Sequence, residues 1–322
     1  MPLQKIHHLL QDELAATDAL IIEKLQSQVD LTHEIGHHIT KSGGKRLRPL
    51  LTLLSGKLLG YSDTPLIVAA AIIELIHTAT LLHDDVIDNS SLRRGNPTAN
   101  TVWGNQASVL VGDFLYSRAF QMLSELKNIA ILDTLANSTI VIAEGEILQL
   151  QNCNNPEVSE ENYRQVIERK TGTLFAAAAQ MGALLAKRAP QDIKHLGDYG
   201  MHLGTAFQLI DDALDYCADT KQTGKNLGDD LAEGKPTLPL IRVLAVGNEK
   251  EKSLVRTAIT TGKIEHLHDI LAAIHRNHAI EYTQTIAKRH AELAISHLSS
   301  FDDSIYRQAL INLAEFAVAR AF

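Results

Sequence analysis

The sequence contains 322 residues, of which 45% are apolar and 5% aromatic, and its formal net charge is −8. The length suggests one or two domains, and the negative charge argues against a protein that binds nucleic acid non-specifically. The two cysteines, Cys153 and Cys217, provide neither a disulfide framework nor a metal-binding spacing, which is typical of the reducing cytosol.

The beginning of the chain does not resemble a signal peptide, because it carries acidic residues such as Asp12 and Glu13. Apolar residues at helical spacing predict helices over residues 3–29 and 31–40. The next segment, Gly43–Pro49 (GGKRLRP), combines two glycines with three cations at the start of a further helix. Such a segment fits a phosphate-binding turn or a basic surface turn equally well.

Residues 64–89 are predicted to form a helix that is apolar on nearly all sides. Its apolar stretch is nearly long enough to cross a membrane, but it contains Glu74 and His77 and leads into acidic residues. We therefore expect a central helix of a bundle, no transmembrane segment and a cytoplasmic location. The acidic residues form a D-D-x-x-D cluster of Asp84, Asp85 and Asp88.

Two adjacent arginines, Arg93 and Arg94, follow this cluster in a predicted loop. Guanidinium groups bind phosphate oxygens through paired hydrogen bonds. The helix predicted over residues 159–187 carries Lys170 and Thr171 on an alanine-rich face. Helices are predicted in this part of the chain over residues 98–104, 106–125, 129–151 and 159–187.

A helix predicted over residues 190–217 ends in a second cluster of the same form, with Gln208 one turn before its middle aspartate. The polar segment 220–236 is predicted to be a mobile loop or lid that carries Lys225 and Lys235. Residues 237–322 are predicted to be helical. We therefore predict an all-α fold with one domain over residues 1–322. The second cluster consists of Asp211, Asp212 and Asp215.

The two acidic clusters give the sharpest functional indication. Residues four apart share a face of a helix, so the like charges within each cluster repel unless cations neutralise them. Carboxylates are typical ligands of Mg²⁺, which also binds substrate phosphates. A single cluster is more often a solvated helix end than a metal site. Two clusters of the same form predict two facing carboxylate sets that hold a diphosphate group through divalent cations.

Five segments together resemble successive signature regions of the trans-isoprenyl diphosphate synthases and cover nearly the whole chain: GGKRLRP, LLHDDVIDNSSLRRG, ERKTGTLF, GTAFQLIDDALDY and GKNLGDDLAEGKPTLPL. The resemblance implies a bundle of antiparallel helices around a deep central cavity, usually in a homodimer. It also implies a prenyltransferase that condenses an allylic diphosphate, such as farnesyl diphosphate, with successive molecules of isopentenyl diphosphate. The expected product is long, with eight isoprene units, and serves as a quinone side chain that is handed to a membrane.

The same resemblance assigns roles to individual residues. Two or three Mg²⁺ ions would be held by Asp84, Asp85, Asp88, Asp211, Asp212 and Asp215. The allylic diphosphate would be contacted by Arg93, Lys170, Thr171, Gln208 and Lys225. Isopentenyl diphosphate would be bound by Lys45, Arg46, Arg48, His77, Arg94 and Lys235, although His77 also fits a hydrogen-bonded core histidine. Because ionisation needs charge stabilisation rather than a nucleophile, catalysis would fall on Asp84, Asp88, Asp211, Asp215, Lys170 and Arg93.

Product length should depend on the space along the helix that precedes the first cluster. Eight five-carbon units of about 5 Å each extend roughly 40 Å, and the helix back to residue 64 supplies roughly 30 Å. Ile76, Ala79 and Thr80 are predicted to line this path, where bulky aromatics stop growth in short-chain members of the family. Met122 and Leu123 are predicted to help form the floor.

Other functions stay open on the sequence. A shorter-chain synthase that makes farnesyl or geranylgeranyl diphosphate shares the motifs. A non-catalytic helical subunit of a heteromeric synthase would tend to lose the aspartate clusters, and a class I terpene cyclase would usually lack the second cluster and GGKRLRP. A Ca²⁺-binding helical protein would leave the conspicuous cations without a role.

Overall fold

The structure is 79% helical with almost no strands, which confirms the predicted all-α class. The computed structural model describes residues 3–41, 43–217 and 227–319. In chain order the helices are α1 (Leu3–Leu9), α2 (Gln11–Lys24), α3 (Asp30–Lys41), α4 (Leu47–Leu58), α5 (Thr64–Ile87), α6 (Ala99–Trp103), α7 (Asn105–Glu125), α8 (Ile129–Asn152), α9 (Glu160–Ile167), α10 (Thr173–Leu185), α11 (Pro190–Leu214), α12 (Asp229–Ala232), α13 (Leu238–Val246), α14 (Glu249–Thr261), α15 (Leu267–Arg276), α16 (Ala279–His297) and α17 (Ile305–Ala319).

Three shorter elements complete the description. A π-helical segment, Glu168–Gly172, joins α9 to α10, and a 3₁₀ turn, Leu298–Ser300, follows α16. Two two-residue strands, β1 (Leu92–Arg93) and β2 (Asn96–Pro97), pair antiparallel in the loop after α5. Within the described residues, this small hairpin is the one β-sheet. It reverses the chain sharply within the loop.

The core is built around α5, as its apolar composition predicts. α5 packs against α2, α4, α7 and α10, and most of its side chains between Leu66 and Leu82 are buried. α10 packs closely against α11, because both helices place small residues at their contact. A Cβ at Gly204 would lie only 2.9 Å from the Cα of Gly172, so a larger residue there would push α11 away from the segment before α10.

α5 is also the one helix in the described ranges that is long and apolar enough to cross a membrane. However, 67% of its most apolar stretch is buried among the other helices. Glu74 lies in the middle of α5 and forms an ion pair with Arg46 of the preceding segment. These contacts support the prediction of a core helix.

The largest differences from the sequence prediction concern the first helix, the helix before α10 and the predicted lid. The first predicted helix is interrupted at Leu10 and ends at Lys24. The helix predicted over residues 159–187 is broken by the π-helical segment, in which one turn holds an extra residue. A single extra residue changes the apolar spacing too locally to be read from the sequence. Part of the predicted lid is ordered as α12, while residues 218–226, with Lys225, lie outside the described residues.

Candidate active site

A cavity of about 1180 Å³ lies at the end of the bundle where α5 and α11 terminate. Asp84 and Asp88 line it from the last turns of α5, and Asp211 and Asp215 line it from the end of α11. Each pair consists of residues four apart, so both carboxylates of a pair lie on one face of their helix. The structure therefore brings these four aspartates of the two clusters to one cavity.

The middle aspartate of the first cluster is oriented differently. Asp85 is 1% exposed and lies outside the cavity lining. Its Oδ1 accepts a hydrogen bond from Arg93 Nε at 2.8 Å and forms an ion pair with Nη2 at 2.7 Å. Burial raises the pKa of Asp85, while Arg93 opposes that shift. Asp85 therefore fixes the arginine loop to α5, and the expected metal-ligand role for this residue loses support.

The middle aspartate of the second cluster is also held by protein groups. Tyr163 Oη donates to Asp212 Oδ2 at 2.5 Å, and Gln208 Nε2 donates to Oδ1 at 2.8 Å. Burial, followed by the nearby Asp230, raises the pKa of Asp212 to about 7. Although Asp212 lines the cavity, both of its oxygens have protein donors, and it is better suited to position Gln208 than to hold a cation.

The cations predicted to bind isopentenyl diphosphate line the same cavity. Arg48 is partly exposed in the cavity wall, with its guanidinium 4.5 Å from the ring centroid of Phe175. Arg48 Nη1 donates to His77 Nε2 at 3.1 Å. Burial and the positive charge of Arg48 hold the pKa of His77 well below its usual value, so its imidazole is neutral. Burial also lowers the pKa of Arg48 to about 10, which still leaves it charged.

The other residues of the Gly43–Pro49 segment surround this pair. Arg46 Nη1 donates to Glu74 Oε1 at 2.6 Å, while Lys45 Nζ lies 5.6 Å from the ring centroid of Phe207. A Cβ at Gly44 would lie 2.7 Å from Arg94 Nη1, so the missing side chain lets the two segments approach. The basic turn therefore contributes Gly44, Lys45, Arg46 and Arg48 to the cavity lining, with Lys45 exposed to solvent. This placement favours the phosphate-binding interpretation of the turn.

The π-helical segment places Lys170 and Thr171 on the cavity wall opposite α5. Lys170 Nζ donates to Glu146 Oε2 of α8 at 2.9 Å. Burial would lower the pKa of Lys170, but Asp84 and Glu146 raise it overall. Thr171 Oγ1 donates to Gln208 Oε1 at 3.0 Å. π-Helical turns often occur at functional sites, and here the extra residue brings two polar side chains to one surface.

Lys235 closes the cavity from the segment after α12. Its Nζ lies 2.9 Å from Asp88 Oδ2 and 2.6 Å from Glu233 Oε2. Burial would lower the pKa of Lys235, but the two carboxylates raise it overall. The predicted contact of Lys235 with phosphate would therefore require it to leave Asp88, or to be shared with it, when a ligand enters.

The carboxylates that line the cavity fit Mg²⁺ bound together with a phosphate ligand. Among the residues that the structure describes, no three carboxylate, imidazole or thiol side chains converge on one point. Mg²⁺ usually takes one or two carboxylates and completes its octahedron with water and substrate phosphates. The four cavity-facing aspartates, Asp84, Asp88, Asp211 and Asp215, match that requirement.

Of the residues predicted to set product length, Thr80 lines the cavity one turn before Asp84. Ile76 and Ala79 are 0% exposed, and Met122 and Leu123 are 1% exposed, all within the main hydrophobic core. They lie in the packed interior where α5 contacts α7 and outside the cavity lining. A tail that grows past Thr80 would have to rearrange these side chains.

His83 lies next to Asp84 but faces away from the cavity. Its ring stacks on Tyr116 of α7 at a centroid distance of 6.2 Å, and its Nε2 lies 3.2 Å from the carbonyl oxygen of Val109. His83 therefore packs against α7 and lies outside the cavity lining.

Comparison with known proteins agrees with this geometry. The sequence pattern of the polyprenyl synthetase family matches residues 29–275. The chain belongs to this family. It is therefore a prenyltransferase with the isoprenoid synthase fold.

The relatives match over the full length of the chain. The octaprenyl diphosphate synthase of Escherichia coli (strain K12) is 49% identical over 321 residues, which cover 99% of each chain. The octaprenyl diphosphate synthase of Haemophilus influenzae is 46% identical over 323 residues, covering 100% of this chain and 98% of that relative. A polyprenyl synthase from Caulobacter crescentus CB15, solved with calcium and isoprenyl diphosphate, has a TM-score of 0.96 and 40% identity, covering 99% of this chain and 98% of its own.

Several residues of this prenyltransferase site were not predicted from the sequence. Glu146 contacts Lys170, Glu74 contacts Arg46, and Tyr163 contacts Asp212. Glu74 could have been found from the sequence, because it is an acidic residue in an apolar helix and a buried charge requires a partner. Glu146 and Tyr163 gave no comparable signal, because their partners lie 24 and 49 residues away in the sequence.

Proposed function

We propose that this chain is a long-chain trans-polyprenyl diphosphate synthase, with a product of eight isoprene units as the expected length. The observation that carries this proposal is one cavity with carboxylate pairs on two walls and five cations of the Gly43–Pro49 and arginine-loop segments beside them. The full-length similarity to two octaprenyl diphosphate synthases supports the product class.

The allylic diphosphate would lie between the two carboxylate pairs. Its oxygens would be contacted by Lys170, Thr171 and Gln208, which already form one connected wall with Glu146. Arg93 would add charge from the loop that Asp85 holds in place. Lys225 is also proposed as a contact, although it lies outside the described residues.

Isopentenyl diphosphate would bind on the side of the cavity formed by Arg48, Arg94 and Lys45. Neutral His77 accepts a hydrogen bond from Arg48, and this contact would orient the guanidinium toward the diphosphate. Arg46 and Lys235 have carboxylate partners and would contribute at longer range. The two substrates would thus be held side by side, with the double bond of one directed at the allylic carbon of the other.

Asp84, Asp88, Asp211 and Asp215 are proposed to hold two or three Mg²⁺ ions, which would neutralise charge on the departing diphosphate. The Arg and Lys side chains would stabilise the same charge in a partly buried site, where each interaction is stronger than in water. Asp85 and Asp212 would position Arg93 and Gln208. The proton lost after condensation would pass to the released diphosphate, so the protein needs no dedicated base.

The growing tail is proposed to pass Thr80 and to enter the core between α5 and α7. Thr80 lies at the start of that path and is small, so it does not block a long chain. Ile76 and Ala79 would line the next turns, and Met122 and Leu123 would lie near the end.

Incubation of the purified chain with farnesyl and isopentenyl diphosphates and Mg²⁺, followed by mass spectrometry, tests the proposal. The expected result is a diphosphate with about eight isoprene units. Products that stop at farnesyl or geranylgeranyl diphosphate would favour the shorter-chain alternative. Turnover of an allylic diphosphate alone would favour a cyclase, and absence of any product would favour a non-catalytic subunit.

We also propose that residues 1–322 form one catalytic domain in a cytoplasmic homodimer that releases its product to a membrane. Support for a dimer comes from exposed apolar side chains on adjacent helices. Leu110 of α7 is 66% exposed, and Ile147 and Leu150 of α8 are 59% and 65% exposed. Light scattering of the wild type and of Ile147→Glu should give a dimer and a monomer, and two identical masses would refute this interface.

A further inference from the structure

Four histidines meet where α11 packs against α16, on a side of the protein that the proposed reaction does not use. His195 and His202 are seven residues apart on α11, and His290 and His297 are seven residues apart on α16. Seven residues make about two helical turns, so each pair presents its rings along one face. The rings form a continuous row in which His202 contacts both histidines of α16.

The ring nitrogens face one another in pairs across the helix interface. His202 Nδ1 lies 3.1 Å from His290 Nδ1, and His195 Nδ1 lies 3.5 Å from His297 Nδ1. Two nitrogens bound to one tetrahedral Zn²⁺ at about 2.0–2.1 Å lie roughly 3.3–3.4 Å apart. The observed separations bracket that value, so the nitrogens need to move only a few tenths of an ångström while the two rings turn from facing each other to facing a shared ion.

The environment keeps these rings in the form that binds metals. Burial, together with His297, lowers the pKa of His202. Burial, followed by His202, lowers the pKa of His290 to about 4. Both rings are therefore neutral near pH 7, as ligand histidines must be. Asp198 Oδ2 lies 3.8 Å from His297 Nδ1 at the end of the row and is itself paired with Lys194.

We propose that His202 and His290 form a binding site for a divalent late first-row metal ion, such as Zn²⁺, that connects α11 to α16. Imidazole nitrogens suit Zn²⁺, Cu²⁺ and Ni²⁺, whereas Mg²⁺ prefers oxygen. No third carboxylate, imidazole or thiol group of the described residues converges on this pair. Water would therefore occupy the other coordination positions of the metal ion. The proton now between the two Nδ1 atoms moves to Nε2 of its ring, so binding needs no net loss of a proton. The ion would brace the helix that ends in Asp211 and Asp215.

Titration of the untagged full chain with Zn²⁺ by calorimetry, in excess Mg²⁺ to occupy the aspartates, tests the site. The number of Zn²⁺ ions bound per chain should fall by one in His202→Gln and also in His290→Gln. His268→Gln is the matched control, because the His268 side chain is 98% exposed on another helix, and it should bind as many ions as the wild type. Neither His202 nor His290 lines the cavity, so a loss of one ion in these two variants separates this site from the proposed diphosphate site.

A second measurement distinguishes a metal site from a simple imidazole–imidazole hydrogen bond. With Cu²⁺ in place of Zn²⁺, electron paramagnetic resonance should show coupling to two imidazole nitrogens in the wild type and to fewer in either variant. Equal Zn²⁺ stoichiometry and identical Cu²⁺ spectra in the wild type and both variants would overturn the proposal. If one variant fails to fold, the other decides, because the two histidines lie on different helices.

Discussion

Replacement of Leu123 by alanine tests the proposed path of the growing tail. Leu123 is 1% exposed on α7, within the main core. The substitution removes three carbons worth about 0.8 kcal/mol each and leaves a cavity, so the free energy of unfolding should fall by about 3 kcal/mol. The side chain also shortens by about 2.5 Å, roughly half the length of one isoprene unit. We therefore expect a mixture of the wild-type product and a product one unit longer.

The assay is mass spectrometry of products made from farnesyl and isopentenyl diphosphates, with urea unfolding measured in parallel. Leu240→Ala is the matched control, because Leu240 is 0% exposed but belongs to a separate core cluster around α13. It should lose similar stability and keep the wild-type product. An unchanged product in Leu123→Ala, or equal lengthening in both variants, would refute the assignment of Leu123 to the tail path.

Two further predictions concern the aspartates that have protein partners. Arg93→Gln leaves Asp85 buried without its counter-charge and should lower the free energy of unfolding by about 3 kcal/mol. The control Arg188→Gln breaks an exposed ion pair with Asp192 and should lower it by less than about 1 kcal/mol. Equal losses in urea unfolding would contradict the role of Asp85. The pKa of Asp212 is raised to about 7 in the folded protein, so the native state binds the carboxyl proton more tightly than the unfolded state does. The protonated carboxyl therefore stabilises the fold in acid, and this contribution is lost as pH rises toward neutrality. In EDTA, Asp212→Asn should therefore lose stability less steeply than the wild type between about pH 4 and about pH 7, and parallel stability curves would show that Asp212 titrates normally.

The sequence predicted the parts of the site that depend on local spacing. Asp84 and Asp88 share a helix face because they are four residues apart, and the same holds for Asp211 and Asp215. The apolar residues on nearly all sides of α5 predicted its central position. These features require only the periodicity of a helix and the cost of burying charge.

The remaining contacts depend on tertiary packing, which spacing does not encode. Asp85 and Asp84 are neighbours in the sequence, but only the fold shows that Arg93 binds one and leaves the other facing the cavity. The π-helical turn before α10 was missed because one extra residue changes the apolar spacing only locally. His202 and His290 are 88 residues apart, so their contact becomes visible only when α11 and α16 pack together.

The central claim is that the two carboxylate pairs act together on one diphosphate. A double-mutant cycle with Asp84→Asn and Asp211→Asn, measured as Mg²⁺-dependent binding of an unreactive farnesyl thiodiphosphate, tests it most directly. Groups that share one ligand are coupled, so the double variant should lose less binding free energy than the sum of the single variants, by at least about 1 kcal/mol. Losses that add within about 0.5 kcal/mol would show that the two pairs act independently and would contradict this account.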